Sequence, residues 1–457
     1  MRDRVGNNVV IVGGGLTGLA ASIYLARGGR TVTVFEKRRF LGGRAVTHLR
    51  HGFRFNLGAH ALFRTGAAAA VYRELGIPAP GKLAKPKPPL AIFDGEEYRL
   101  PSGLFSLLFT SLLSFAGKKE LARAILRVRK LDPAAVASMT VGQWLDANFT
   151  DARARRVMAA LVRLSTYSAH ETQSAALALE QVKIGLRGVI YIDEGWQRLV
   201  DSMRNTAVTS GVNFISSSRI VGIVRDHTAV RAVELGGLEL DNDRRDTLSV
   251  ALPDEKPEKV EGALIPAETV LLAIDPETAA ELAGFADFTK PWLAVHPVTA
   301  ACLDVGLRSL PNPKKTFALG IDDPLYYSVH SAFAQLAPKG GALIHLLKYR
   351  REQTATNEEF DGERPRRGGA GDDERELEAL LDRMQPGWRD VLVHRRFLPA
   401  MTVANALPTP ELPRPPVQTP VRGLYIAGDW VGGEGLLSDA SLASARTAAR
   451  AILATSQ

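Results

Sequence analysis

The amino-acid sequence predicts an α/β protein: a parallel-sheet domain drawn from separated stretches of chain, with a second, α+β domain interleaved between them. Three observations predict it. A strand–turn–helix–strand run fills the first 36 residues. A strand ending in Gly-Asp, followed by an alanine-rich helix, closes the chain at 423–452. Between them lie a helical stretch at 103–186 and several strand-like runs, and 457 residues suggest two or three domains at roughly 100–200 residues each.

Residues 8–12 (NVVIV) form a short β-branched run that stops at glycine, the pattern of a buried strand. Residues 16–27 (LTGLAASIYLAR) carry apolar side chains at helical spacing and end at Gly28-Gly29. Residues 31–35 (TVTVF) read as the second strand of a parallel βαβ unit. Five prolines between 78 and 89 argue against a regular element there. Helical patterns follow at 103–117, 118–130 and 141–149. Strand-like runs return at 212–224, 268–274, 296–306 and 343–348. The polar stretch 353–376 reads as a loop entering a helix at about 373–384. The resulting division is 1–77, 191–285 and 396–457 for the parallel-sheet domain, and 78–190 and 286–395 for the interleaved one.

Gly13, Gly15 and Gly18 form GxGxxG directly between strand and helix, and Glu36 ends the next strand. This is a Rossmann-like dinucleotide fingerprint with a physical job for each part. Gly13 permits the tight turn, Gly15 removes a Cβ that would block a pyrophosphate, and Gly18 lets the helix approach the strands. The helix start at Leu16-Thr17 offers free N–H groups and a positive dipole end to phosphate. Glu36, beside Lys37, is placed to accept from ribose hydroxyls, and its charge disfavours a 2′-phosphate. Just beyond lies Gly42-Gly43-Arg44: two glycines that admit a cofactor and a guanidinium suited to a diphosphate. An NAD-linked dehydrogenase does not need that second contact.

With GGR and nearby Thr47, the segment resembles the flavin superfamily of amine oxidases, protoporphyrinogen oxidases and phytoene desaturases. GFRFNLGAHAL (52–62) resembles the family stretch beside the flavin, with Asn56 in place of its usual Asp. GLYIAGDWVGGEGLLSDASLASARTAARAI (423–452) resembles the closing motif. The resemblance implies FAD, held non-covalently. It implies cofactor contacts at Gly58, Ala59 and His60, at a backbone position near Val221, and at Ala273. It implies others at Gly428, Asp429, Gly435, Leu436 and Leu437, where a helix N-terminus points at the ring. Trp430 is expected beside the ring, lining the substrate pocket. YIDEGWQRLVDSM (191–203) resembles a further family turn, with Glu194-Gly195 replacing Gly-Gly.

The implied chemistry is hydride transfer from a substrate C–H bond to the flavin, with oxygen or a quinone as acceptor. The strand at 296–306 lacks the lysine that amine oxidases usually carry, and the flavin-attaching cysteine is missing from the closing motif. The C-terminal half fits the phytoene desaturase branch, which implies an apolar, isoprenoid-like substrate. Amine oxidase, protoporphyrinogen oxidase-like and non-redox flavin-binding readings remain open. His60 is the candidate proton relay, since imidazole titrates near neutrality. Strand alternation sends Tyr326 and His330 to one face as candidate pocket residues.

Net charge is +8, but the arginines are scattered and nucleic-acid motifs are lacking, so nucleic acid is not an expected partner. The single cysteine, Cys302, excludes an intramolecular disulfide and multi-thiolate metal sites, and no metal is expected. No apolar run reaches the ~18 residues of a spanning helix, and no secretory signal is evident, so the cytoplasm is the default compartment. Residues 104–130 pair an apolar run with a basic helix, a pattern suited to peripheral contact with anionic lipid. Oligomeric state is not readable.

Overall fold

A computed structural model describes residues 7–86, 88–101, 103–226, 228–236, 262–350 and 370–455. The polar stretch expected as a loop at 353–369 falls outside them.

Five parallel strands form one sheet in the spatial order Asn213–Ile215, Thr31–Phe35, Asn8–Val12, Thr269–Leu272, Leu424–Ile426. Three distant stretches of chain thus build one sheet. Its strands are rich in apolar residues because helices cover it together with the three-stranded sheet Ile220–Arg225, Val230–Leu235, Ala263–Pro266, whose Ile220, Val230 and Val233 share its core. Helix Leu16–Arg27 packs on Leu437–Ala454 and on Gln197–Thr209. Ile11, Val34, Leu271 and Ala427 are fully buried between them. At roughly 1.5–3 kcal/mol for each large aliphatic side chain, this core fixes the strand order that brings the N-terminal and C-terminal stretches into one sheet.

A second sheet has seven strands, in the order Leu392–Ala404, Val298–Leu307, Ala342–Tyr349, Leu325–Val329, Phe317–Gly320, Leu90–Phe93, Glu96–Arg99. It is antiparallel except where Phe317–Gly320 runs parallel to Leu90–Phe93. Leu303, Val305 and Tyr327 face helix Ala370–Met384. Cys302, Leu319, Tyr326 and Leu347 face the other way, against the helices between Phe115 and Gly185.

Three local expectations are corrected. Gly81–Leu83 is a strand, paired with Val189–Ile192, because its flanking prolines all fall outside those three residues. The apolar run at 103–117 is not one helix. Leu104–Phe109 stops at Thr110, whose hydroxyl bonds the Arg99 carbonyl, and a new helix Phe115–Arg129 starts on a Ser114 cap. The run at 212–224 is two strands, Asn213–Ile215 and Ile220–Arg225, in different sheets.

Candidate functional site

The glycine-rich turn lies at the C-terminal ends of the central strands. Gly13 has φ +106°, and a Cβ there would lie 2.6 Å from the Ala273 carbonyl oxygen. A Cβ on Gly18 would lie 2.0 Å from the Gly13 carbonyl oxygen, so this glycine is required by helix–strand packing. Gly15 is different: a Cβ there meets no protein atom within 4 Å. Packing does not explain that glycine, whereas a ligand lying against the backbone would. Leu16 is half-buried and Thr17 buried at the start of the helix. Glu36 accepts from the Gly14 N–H at 2.7 Å and the Arg38 N–H at 2.9 Å. Burial raises its pKa, opposed by those two N–H groups. Lys37 is exposed to solvent.

The second glycine turn meets the first. Gly42 N–H donates to the Gly14 carbonyl at 2.9 Å, and a Cβ on Gly43 would touch only the Gly15 Cα, at 3.6 Å. The two turns touch, Gly15 pairing with Gly42, and form adjoining lips of one glycine-lined surface. Arg44 extends from the second lip to Asp429 of the closing motif, Nη2 to Oδ2 at 2.7 Å. Asn405 donates to both Asp429 carboxylate oxygens, and Arg414 donates to the Asp429 carbonyl. Sequence reading missed Asn405 and Arg414, because both lie in the proline-rich approach to the last strand, where no motif marks them.

Asn56 serves as an acceptor. Its Oδ1 accepts from Thr47 Oγ1 at 2.7 Å and from Trp196 N–H at 3.0 Å, while Thr47 Oγ1 accepts from Gln197 N–H at 3.0 Å. Together they satisfy free N–H groups at the start of helix Gln197–Thr209. An amide oxygen serves here as well as a carboxylate. Gly195, at φ +87°, could not carry a Cβ, which would lie 2.5 Å from Thr47.

Beyond Asn56, Gly58 (φ +81°) turns the chain so that His60 Nδ1–H donates to the Gly58 carbonyl at 3.1 Å. The His60 ring packs edge-on against Trp196, with Ala59 buried beside it. Burial lowers the His60 pKa to about 4, against the pull of the Gly58 carbonyl. Burial thus disfavours the protonated form of this ring, the candidate proton relay.

The closing segment brings Gly428 under Trp430 and leads through Gly435 (φ +67°) and Leu436 into helix Leu437–Ala454, which has no side-chain cap. Its first N–H groups are therefore available to a ligand. A small cavity opens there, lined by Thr166, Ser168 and Gln173 from the helical segment and by Asp429, Leu436 and Leu437. Asp439, in the first turn, accepts from Ala68 N–H at 2.8 Å and from Gln181 Nε2 at 3.2 Å. Burial raises its pKa to about 6.

One expected position is corrected. Trp430 does not line the cavity: it is fully buried, its Nε1–H donates to the Ile274 carbonyl at 2.8 Å, and its ring packs on Trp292 in the core. Val221 is 45% exposed, while alternation turns its neighbour Ile220 into the core. Tyr326 and His330 are brought together, Tyr326 Oη to His330 Nε2 at 3.1 Å, with the Tyr191 ring stacked on His330 at 3.9 Å. Both are fully enclosed.

The family described as "Flavin containing amine oxidoreductase" matches residues 16–287. A phytoene desaturase of Cercospora nicotianae is 35% identical over 119 residues, which are 25% of this chain and 19% of that protein. A carotenoid 3,4-desaturase of Haloarcula japonica is 48% identical over 58 residues, 13% of this chain and 12% of that protein. The chain therefore spans less than a fifth of the length of these curated relatives in its matched segments. An oxidoreductase of Methanosarcina mazei has the same fold, with a TM-score of 0.71 at 16% identity, covering 96% of this chain and 99% of that one. The family match over residues 16–287, on a chain whose glycine turns and closing motif share one site, shows that this chain belongs to the flavin-containing amine oxidoreductase family.

Proposed function

We propose that FAD lies along the glycine turns, with its adenosine end on the Gly13–Gly18 turn and Glu36, and its diphosphate over the Gly15 and Gly43 backbone near Arg44. Its flavin end is directed to residues 58–60 and the Gly432–Leu437 turn. The observation that carries this reading is the open space at Gly15, which nothing in the protein needs. When bound, FAD supplies a two-electron acceptor for substrate oxidation. The chain's own residues bind and orient: Glu36 takes ribose hydroxyls, Arg44 turns toward phosphate, and the uncapped start of helix Leu437–Ala454 favours negative charge at the ring. Reconstitution tests this: Gly15→Val is expected to stay folded but bind no FAD, and unchanged flavin uptake would contradict it.

We propose further that the substrate is apolar and isoprenoid-like and that the reaction is a dehydrogenation, with oxygen or a quinone as final acceptor. The names of the two curated relatives support this, as does the absence of lysine from strand Val298–Leu307. Anaerobic bleaching of the bound flavin by a linear isoprenoid, but not by a primary amine, is the expected result, and the reverse pattern would favour an amine oxidase.

Delivery of such a substrate at a membrane surface fits the outer face of the helical segment. No helix among the described residues is long and apolar enough to cross a membrane. Leu108, Phe109 and Phe115 are 67%, 67% and 86% exposed, beside Lys118 and Lys119. Leu112, by contrast, is in the core. Leu108→Glu with Phe115→Glu should abolish flotation with anionic liposomes, and unchanged partitioning would exclude this surface.

A further inference from the structure

The seven-stranded sheet encloses a polar group that the reading above does not use. Asp304 is fully buried in strand Val298–Leu307. Its Oδ1 accepts from His345 Nδ1–H at 2.5 Å and from the Cys302 thiol at 3.0 Å, and its Oδ2 accepts from Arg396 Nε–H at 3.1 Å. Arg396 also donates to the Asn56 carbonyl, and a Cβ on Gly58 would lie 3.6 Å from Cys302 Sγ. The group therefore backs directly onto the 56–60 segment.

His345 is held at Nδ1, while its Nε2 is buried and has no hydrogen-bond partner among the described residues. The neighbouring His330 ring, 4.5 Å away, is held at Nε2 by Tyr326, and its buried Nδ1 is equally without a partner. Two buried imidazole nitrogens without a protein partner in one enclosed place cost stability. A carboxylate that fixes one imidazole nitrogen and leaves the other free is the arrangement of a proton acceptor.

We propose that the Asp304–His345 pair, with His330 beside it, is the proton-accepting site coupled to flavin reduction, the role the sequence suggested for His60. This rests on the reading that residues 58–60 lie beside the flavin. Bound FAD would take up two electrons and one proton on reduction and would then carry one more negative charge. A further proton, drawn from water, would settle on His345 Nε2, the nitrogen that Asp304 leaves free, and offset that charge. Reoxidation by the acceptor releases it.

The titratable and charged groups around the pair are consistent with this. Asp304 stays ionised: burial opposes its charge, but His345 and Arg396 outweigh burial and hold its pKa low. Burial pushes the Cys302 thiol up, reinforced by Asp304, so it donates and does not compete for the proton. Burial likewise raises Tyr167, Tyr191, Tyr326 and Tyr349, which stay neutral. Burial lowers the His330 pKa well below its ordinary range, with His345 and His60 adding to the shift and Asp304 opposing it, so His330 stays neutral and leaves the proton to His345.

The test is the midpoint potential of the bound FAD against pH, by dye-coupled titration of the holoprotein without substrate. For a two-electron couple, each proton taken up contributes about 30 mV per pH unit. The wild type should show a slope near two protons over part of the pH range in which the holoprotein is stable. Asp304→Asn and, independently, His345→Gln should retain yellow FAD and fall to the one-proton slope. A one-proton slope throughout in the wild type, or an unchanged two-proton slope in either flavin-loaded variant, overturns the proposal. A wild type that binds no FAD overturns the placement of the flavin, and this inference with it.

Discussion

Arg44 and Asp429 are separated by 385 positions in the chain, yet the Arg44 guanidinium donates to the Asp429 carboxylate at 2.7 Å. The pair joins the second glycine lip to the closing motif, so one contact reports whether the two ends of the chain have assembled around one site.

Arg44 is 42% exposed, so the pair adds little to stability, about 0–1 kcal/mol. A charge-assisted bond to phosphate is worth about 1.5–3 kcal/mol. Arg44→Ala should therefore leave the apoprotein melting temperature within a few degrees of wild type and weaken FAD binding about 10- to 100-fold, read by fluorescence titration. A large loss of stability with unchanged affinity would mean that the arginine is structural.

Gly15 and Gly18 separate ligand space from packing space. Gly18→Ala drives a Cβ to 2.0 Å from backbone and should cost several kcal/mol in chemical denaturation of the apoprotein, by analogy with overpacking at about 1–3 kcal/mol or more. Gly15→Ala meets nothing and should leave denaturation unchanged while weakening FAD at least about tenfold, or 1.4 kcal/mol. Equal effects of the two substitutions on apoprotein stability would contradict the assignment.

Asp439 gives a pH dependence of definite sign. Its pKa is raised to about 6 when folded, against about 3.9 unfolded. Between those values the folded state binds more protons, so its contribution is full below about pH 4 and falls as pH rises through about 6. The stability of wild type relative to Asp439→Asn should therefore drop by roughly 1–3 kcal/mol from about pH 4 to about pH 6.5, measured by urea denaturation of the apoprotein. A flat difference would contradict this.

The Thr47–Asn56 cap predicts which substitution is tolerated. Asn56→Asp keeps the acceptor for Thr47 and Trp196 and should change stability by less than about 1 kcal/mol. Asn56→Leu strands both donors and should cost about 1–3 kcal/mol each before relaxation. Thermal unfolding of both variants checks it, and equal melting points would show that the cap is unimportant.

The parallel sheet and its glycine turn were legible because local signals coincide there: a β-branched run, obligatory glycines and an acid at the next strand end. Each needs only short-range physics. The split helix at 104–129 was not, since its break depends on Thr110 finding the Arg99 carbonyl, a contact between elements. Trp430 was misplaced for the same reason, because a motif gives the position of the backbone but not which way the ring turns. The Asp304–His345 pair left no trace in spacing. Its partners are 41 positions apart on adjacent strands, and only the register of Asp304 with His345 joins them.

Equilibrium dialysis of the apoprotein against FAD, followed by its visible spectrum, addresses the assembled site most directly. One FAD per chain, with binding lost in Gly15→Val and weakened in Arg44→Ala while both variants keep the wild-type fold, is the expected result. A colourless protein that takes up no FAD, or one whose uptake ignores both substitutions, would contradict the account.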